Sequence, residues 1–140
     1  MLKEYEVKNV YMGRLPYGAD LIEELTEIVK EKKIKAGKVT VIGAVKQGVI
    51  SFYDQEEQEY YDEIFDEKLE IANCTGNISL KDAKPMIHAH ISFGNEKGEM
   101  FGGHLSSGTI IFAGEYIIEE FAGEPFKRGL DKVTGLTLWE

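Results

Sequence analysis

The chain carries three histidines, His88, His90 and His104, all inside a window of 17 residues. Two of them form a His-Ala-His triplet within Met86 to Phe93. The alternation there puts Ile87, Ala89, Ile91 and Phe93 on one face and Met86, His88, His90 and Ser92 on the other. Residues two apart on a strand share a face, so the two imidazoles stand side by side away from the apolar stripe. A loop at Gly94 to Gly98 and an extended stretch from Met100 to Leu105 follow. If that loop closes a hairpin with Phe93 opposite Glu99, His88 falls opposite His104, with Cβ atoms about 4.5–5.5 Å apart. Gly102 then falls opposite His90, leaving space beside that ring.

Three imidazoles converging from adjacent strands make a facial set of nitrogen donors. Zinc suits such a set best; iron, nickel and copper are the other metals imidazole accepts. Three protein ligands with an open position is the layout of a catalytic zinc site, and a structural site would need a fourth ligand. Cys74, Glu70 and Glu115 are the candidates for that place or for a supporting role. The same spacing also describes histidines that are merely solvated or hydrogen-bonded on a polar strand face.

The elements that must position these residues can be read from periodicity. Tyr5 to Met12 reads as a first strand, and Gly13 to Gly18 as a turn. Asp20 is a candidate N-cap with Glu23 three residues on, and Leu21, Ile22, Leu25, Ile28 and Val29 form one apolar stripe. A helix of about four turns follows from that spacing. Val39 to Val45 reads as a buried strand, broken at Gln47-Gly48, with Val49 to Tyr53 as a partner strand. Asp54 to Glu59 is an acidic connection, and Tyr60 to Phe65 is either a short strand or a turn. Leu69 to Cys74 and Ile78 to Leu80 read as strands separated by a hairpin-like break at Gly76-Asn77. Thr109 to Ile118 is a strong strand, with short edge strands expected at Phe121 to Phe126 and Leu136 to Trp139. Strand follows strand with one main helix. The expected fold is therefore α+β, a mostly antiparallel sheet with that helix packed on it, as a single domain over residues 1–140.

Composition narrows the function. The 140 residues hold 16 Lys plus Arg against 25 Asp plus Glu, a formal charge of −9. Proteins that grip nucleic acid draw much of their affinity from counterion release at basic surfaces, so this charge counts against nucleic acid as a partner. A single cysteine excludes a disulfide framework and a Cys-based zinc ribbon. No apolar run approaches the roughly 20 residues of a membrane helix, and the first residues lack the pattern of a secretory signal. The expected setting is soluble and cytoplasmic. Arg14 suits an anion clamp, or more simply a structural ion pair with a neighbouring carboxylate. Gly102 and Gly103 suit close backbone approach to a ligand, or a strand bulge. Cys74 reads as a small buried residue.

The chain resembles the plants-and-prokaryotes-conserved (PPC) domain family over nearly its full length. The matching stretches are Arg14 to Leu21, Gly37 to Val45, His88-Ala89-His90-Ile91-Ser92 and Gly102-Gly103-His104-Leu105, followed by Glu115. The resemblance implies an α+β domain that assembles as a homotrimer, with a metal site at the histidines. Plant relatives carry a DNA-binding AT-hook and a Gly-Arg-Phe-Glu-Ile-Leu motif. The corresponding stretch here, Glu67 to Ala72, keeps only Glu70 and Ile71, and no arginine-glycine-arginine hook stands in the chain.

Three functions follow as expectations. The first is a metal-binding protein with a tri-histidine site, zinc by preference, that binds or senses a small molecule. The second is a metal-dependent hydrolase or lyase using metal-bound water, with Glu70 or Glu115 as the general base. The third is a DNA-associated regulator like the plant relatives.

Overall fold

A computed structural model describes residues 1–140 and contains nine strands and one helix. They run β1 (Glu6–Leu15), α1 (Leu21–Glu31), β2 (Gly37–Asp54), β3 (Glu59–Phe65), β4 (Leu69–Lys81), β5 (Lys84–Gly94), β6 (Met100–Leu105), β7 (Ile110–Ala122), β8 (Lys127–Leu130) and β9 (Thr137–Trp139). All nine strands belong to one sheet, antiparallel throughout except where β8 runs parallel to β4. The α+β expectation holds.

Asp20 caps α1, its Oδ1 accepting from the backbone N–H groups of Ile22 and Glu23. Its other oxygen accepts from Gly108 N and ties the helix start to the turn before β7. Leu21, Leu25 and Val29 are fully buried, so the expected stripe is the packed face, and α1 lies against β5. The helix has three turns and not four, because Lys33 adopts a left-handed backbone (φ 57°) that ends it.

Several expected breaks are not breaks. Gln47-Gly48 lies inside β2, an 18-residue strand that bends without stopping. Its register against β4 shifts between Val41 and Gly43, and against β7 between Ala44 and Gln47. Gly43 has φ +139°, and a Cβ there would sit 2.2 Å from the carbonyl oxygen of Ala113. Only glycine lets the strand bend at that point. Gly76-Asn77 likewise lies within continuous β4, where Gly76 lets β4 and β5 approach closely. Tyr60 to Phe65 is a strand, the hairpin partner of β2 from Gly48 to Asp54. Strand β7 runs on to Ala122, which displaces the first expected edge strand to Lys127–Leu130.

The bend in β2 closes the sheet on itself. Its first half pairs with β7 and β4, and its second half with β3 and β6. Strands β4, β5 and β6 link these halves, so β2 is joined at both ends of one ring. Inside it Val39, Val41, Val45, Ile71, Cys74, Ile91, Phe93, Leu105, Ile111 and Ile118 form the core with the helix. Phe93 is the largest wholly buried side chain, packed between Gly48 and Phe101. We expect Phe93→Ala to lower the unfolding free energy by about 3–5 kcal/mol, measured by urea denaturation, through lost burial and the cavity left.

Candidate metal centre

On β5 the residues Ile87, Ala89, Ile91 and Phe93 are buried, while His88 and Ser92 are half-buried and His90 is exposed. That alternation turns both imidazoles outward, as the spacing requires. On β6, Leu105 is buried and its neighbour His104 faces the same way as His90.

The hairpin register differs from the expected one by two residues. Phe93 pairs with Phe101, Gly94 with Met100, and His90 with His104; His88 is diagonal to His104. Asn95 causes the shift. Its side-chain oxygen accepts from Lys97 N and Glu99 N, and its N–H donates to the Glu99 carbonyl, closing the loop over Asn95 to Glu99. A slip of two leaves every side chain on its face, so the convergence survives. Gly102 stands opposite Ser92 and not His90. A Cβ there would lie 2.2 Å from the Ile91 carbonyl oxygen, so the glycine serves close strand approach and leaves no special space beside a ring.

The three rings are mutual neighbours, with centroids 5.4 Å apart for His88–His90, 5.0 Å for His88–His104 and 5.7 Å for His90–His104. One nitrogen from each lies within 4.8 Å of the others. The hydrogen bonds around them run between other groups: Ser51 with Asp62 and Ser106, and Arg128 with Asn77 and Ser79. Burial, with repulsion from His104, Arg128 and His90, pushes the His88 imidazole down to about 4. Burial and the charges of His90 and Arg128 lower His104 as well, opposed by Asp62. Both shifts favour the neutral form that ligates metal.

The other candidates separate from the cluster. Glu70 pairs with Gly94, four residues along β5 from His90. Glu115 lies on β7 between Ile42 and Arg14, beyond β2 and β4. Neither reaches the histidines, so the expected general bases are displaced. Cys74 is buried in the core opposite Ile91, and burial raises its thiol to about 12, which removes it as a fourth ligand. Arg14 is the cross-strand partner of Glu115 but forms no ion pair with it, and both are exposed.

Sequence reasoning missed the true neighbours. The return of β2 to β6 sets Ser51 beside His104, and β3 brings Asp62 opposite Ser51. Tyr60 packs on the His104 ring at 5.5 Å. On the other side Thr75 pairs with His90 and Asn77 with His88. With Lys38, Thr75, Gly76, Asn77 and the two rings, this edge forms an open cleft of about 400 Å³. Asp62 had one available signal, the alternation of Tyr60 and Asp62 within the ambiguous stretch.

Comparison with known proteins places the fold. A family model described as the Plants and Prokaryotes Conserved (PCC) domain matches residues 2–122. A metal-containing protein from Archaeoglobus fulgidus is 42% identical, with a TM-score of 0.95 over 100% of this chain and 99% of that one. A plant- and prokaryote-conserved protein of Pyrococcus horikoshii is 35% identical, with a TM-score of 0.93 over 100% of this chain and 97% of that one. Among curated proteins, the bifunctional protein GlmU of Synechococcus sp. (strain JA-3-3Ab) is 30% identical over 129 residues, 91% of this chain and 20% of that protein. The chain thus spans about a fifth of the length of the curated relatives it matches.

The depressed His88 value fixes a pH dependence. Unfolded, the imidazole titrates near 6.5; folded, near 4. As pH falls from 6.5 to 4 the unfolded chain takes a proton that the folded chain refuses, so the metal-free protein loses stability across that window and not above it. Thermal melts of metal-free protein between pH 4 and 7 should show this slope, and His88→Gln should flatten it.

Proposed function

Because the chain belongs to the Plants and Prokaryotes Conserved domain family, we propose that it is a metal-binding protein in which His88, His90 and His104 hold one divalent transition ion. Zinc is the preferred ion, and the site serves to bind a small molecule. The observation that carries this reading is the convergence of every imidazole in the chain on one spot, with His88 and His104 held toward the neutral form. The metal-containing Archaeoglobus relative supports it.

The residues fit the ion. Three imidazole nitrogen donors suit zinc, and they come from two paired strands whose opposite face is locked in the core. When bound, zinc supplies a Lewis acid with a coordination position left for a ligand. Ser51 and Asp62 border the His104 side, and Thr75 and Asn77 border the β4 side.

The assembly we assign is a cytoplasmic homotrimer. Met12, Ile42 and Ile117 are exposed on the outer face of β1, β2 and β7, and this is the apolar surface such an assembly would cover. Nucleic acid is not the partner we assign: each chain carries −9, and association multiplies that charge.

Protein prepared without a histidine tag should hold about one zinc per chain by elemental mass spectrometry, since the three donors define a single site. The His88→Ala/His90→Ala/His104→Ala variant should hold none. Equal, negligible metal in both would overturn the reading. Light scattering should return about three times the 15.8 kDa chain mass.

A further inference from the structure

Arg128, on β8, is one of only two arginines in the chain and is 9% exposed. Its Nε donates to Ser79 Oγ (2.7 Å), Nη1 to the Thr137 carbonyl (3.0 Å) and Nη2 to Asn77 Oδ1 (2.8 Å). All three acceptors are neutral. The ion pairs of the protein lie elsewhere, between lysines and glutamates, and no carboxylate approaches this guanidinium within 4.0 Å. Guanidinium stays charged, and a buried charge is ordinarily paired. Here the fold positions the cation firmly and supplies no anion.

Guanidinium has five N–H donors, and the chain engages three. One N–H on each terminal nitrogen remains, the number that a two-oxygen acceptor takes. The guanidinium lines an open cleft of about 380 Å³ with Met1, Asn77, His88, Leu138 and Trp139. Asn77 is shared: it accepts from Arg128 and is the cross-strand partner of His88. Trp139 packs over the guanidinium at 5.5 Å and stacks on Phe126. One wall of the cleft is thus cationic, one apolar, and one carries an imidazole of the histidine cluster.

We infer that this cleft binds a small organic carboxylate. Its carboxylate group takes the two remaining N–H donors of Arg128, and its apolar body lies against Leu138 and Trp139 beside His88. Inorganic phosphate shares the anionic head but has no apolar body to use those walls. The nearness of the ligand to a metal rests on the function proposed above, whereas the anion site stands on Arg128 alone.

Trp139 is the only tryptophan, so its fluorescence reports this cleft. Titration with benzoate should give a saturable change, and benzyl alcohol or inorganic phosphate at the same concentrations should not. Arg128→Met should weaken benzoate binding by about tenfold or more. Leu138→Glu keeps the Arg128 hydrogen bonds and offers a competing carboxylate from the cleft wall; it should cause the same loss. Metal content is measured on the same samples. No saturable benzoate response in metal-loaded protein, equal affinity in wild type and both variants, or tighter phosphate than benzoate binding overturns the inference. Saturable, Arg128-dependent binding to protein that holds no metal as purified upholds the carboxylate site, and the negligible metal content overturns the metal reading instead.

Discussion

Burying Ile87, Ala89, Ile91 and Phe93 on one side of β5 leaves His88 and His90 a single face to occupy. The core enforces this, because turning the strand over would expose four apolar side chains and bury two imidazoles. Every later feature inherits that choice. His104 joins the pair only because β6 adds to the same strand in a register that keeps its parity. Asn77, Thr75 and Lys38 border the site because β4 and β2 continue the same pleat.

A second constraint is the bend of β2. A straight strand of 18 residues would carry its end away from the sheet. The glycine at position 43 and the register shifts around it turn the strand so that Ser51 meets β6. Closing the ring in this way brings Ser51 and Asp62 to His104 and surrounds the core without a free edge at that point. The helix fills the inside through Leu21, Leu25 and Val29.

What could be read from the chain divides along physical lines. Periodicity is local, so the face of each histidine, the apolar stripe of α1 and the strand character of β5 and β7 were all legible. The hairpin register was not, because it turned on the Asn95 side chain and its hydrogen bonds to the loop backbone. Glycines misled in the opposite sense. Gly48 and Gly76 read as breaks, yet both sit inside strands where a neighbouring ring or backbone comes too close for a Cβ. Asp62 and Arg128 were hidden for another reason: the β2–β3 hairpin carries Asp62 to the site only because β2 returns to β6 at His104, and Arg128 finds Ser79 and Asn77, 49 and 51 residues away, only where β8 docks on β4.

The hairpin of β5 and β6 has a kinetic side. All three imidazoles belong to one continuous stretch of 17 residues, so their meeting needs only a short loop to close. The central pairings of β2 with β7, in contrast, join residues such as Val39 and Ile118, which must find one another across most of the chain. Two-stranded hairpins are marginal alone in water. An ion captured by this one would clamp it before the distant strands arrive, and the donor set would then act as a folding nucleus as well as a binding site.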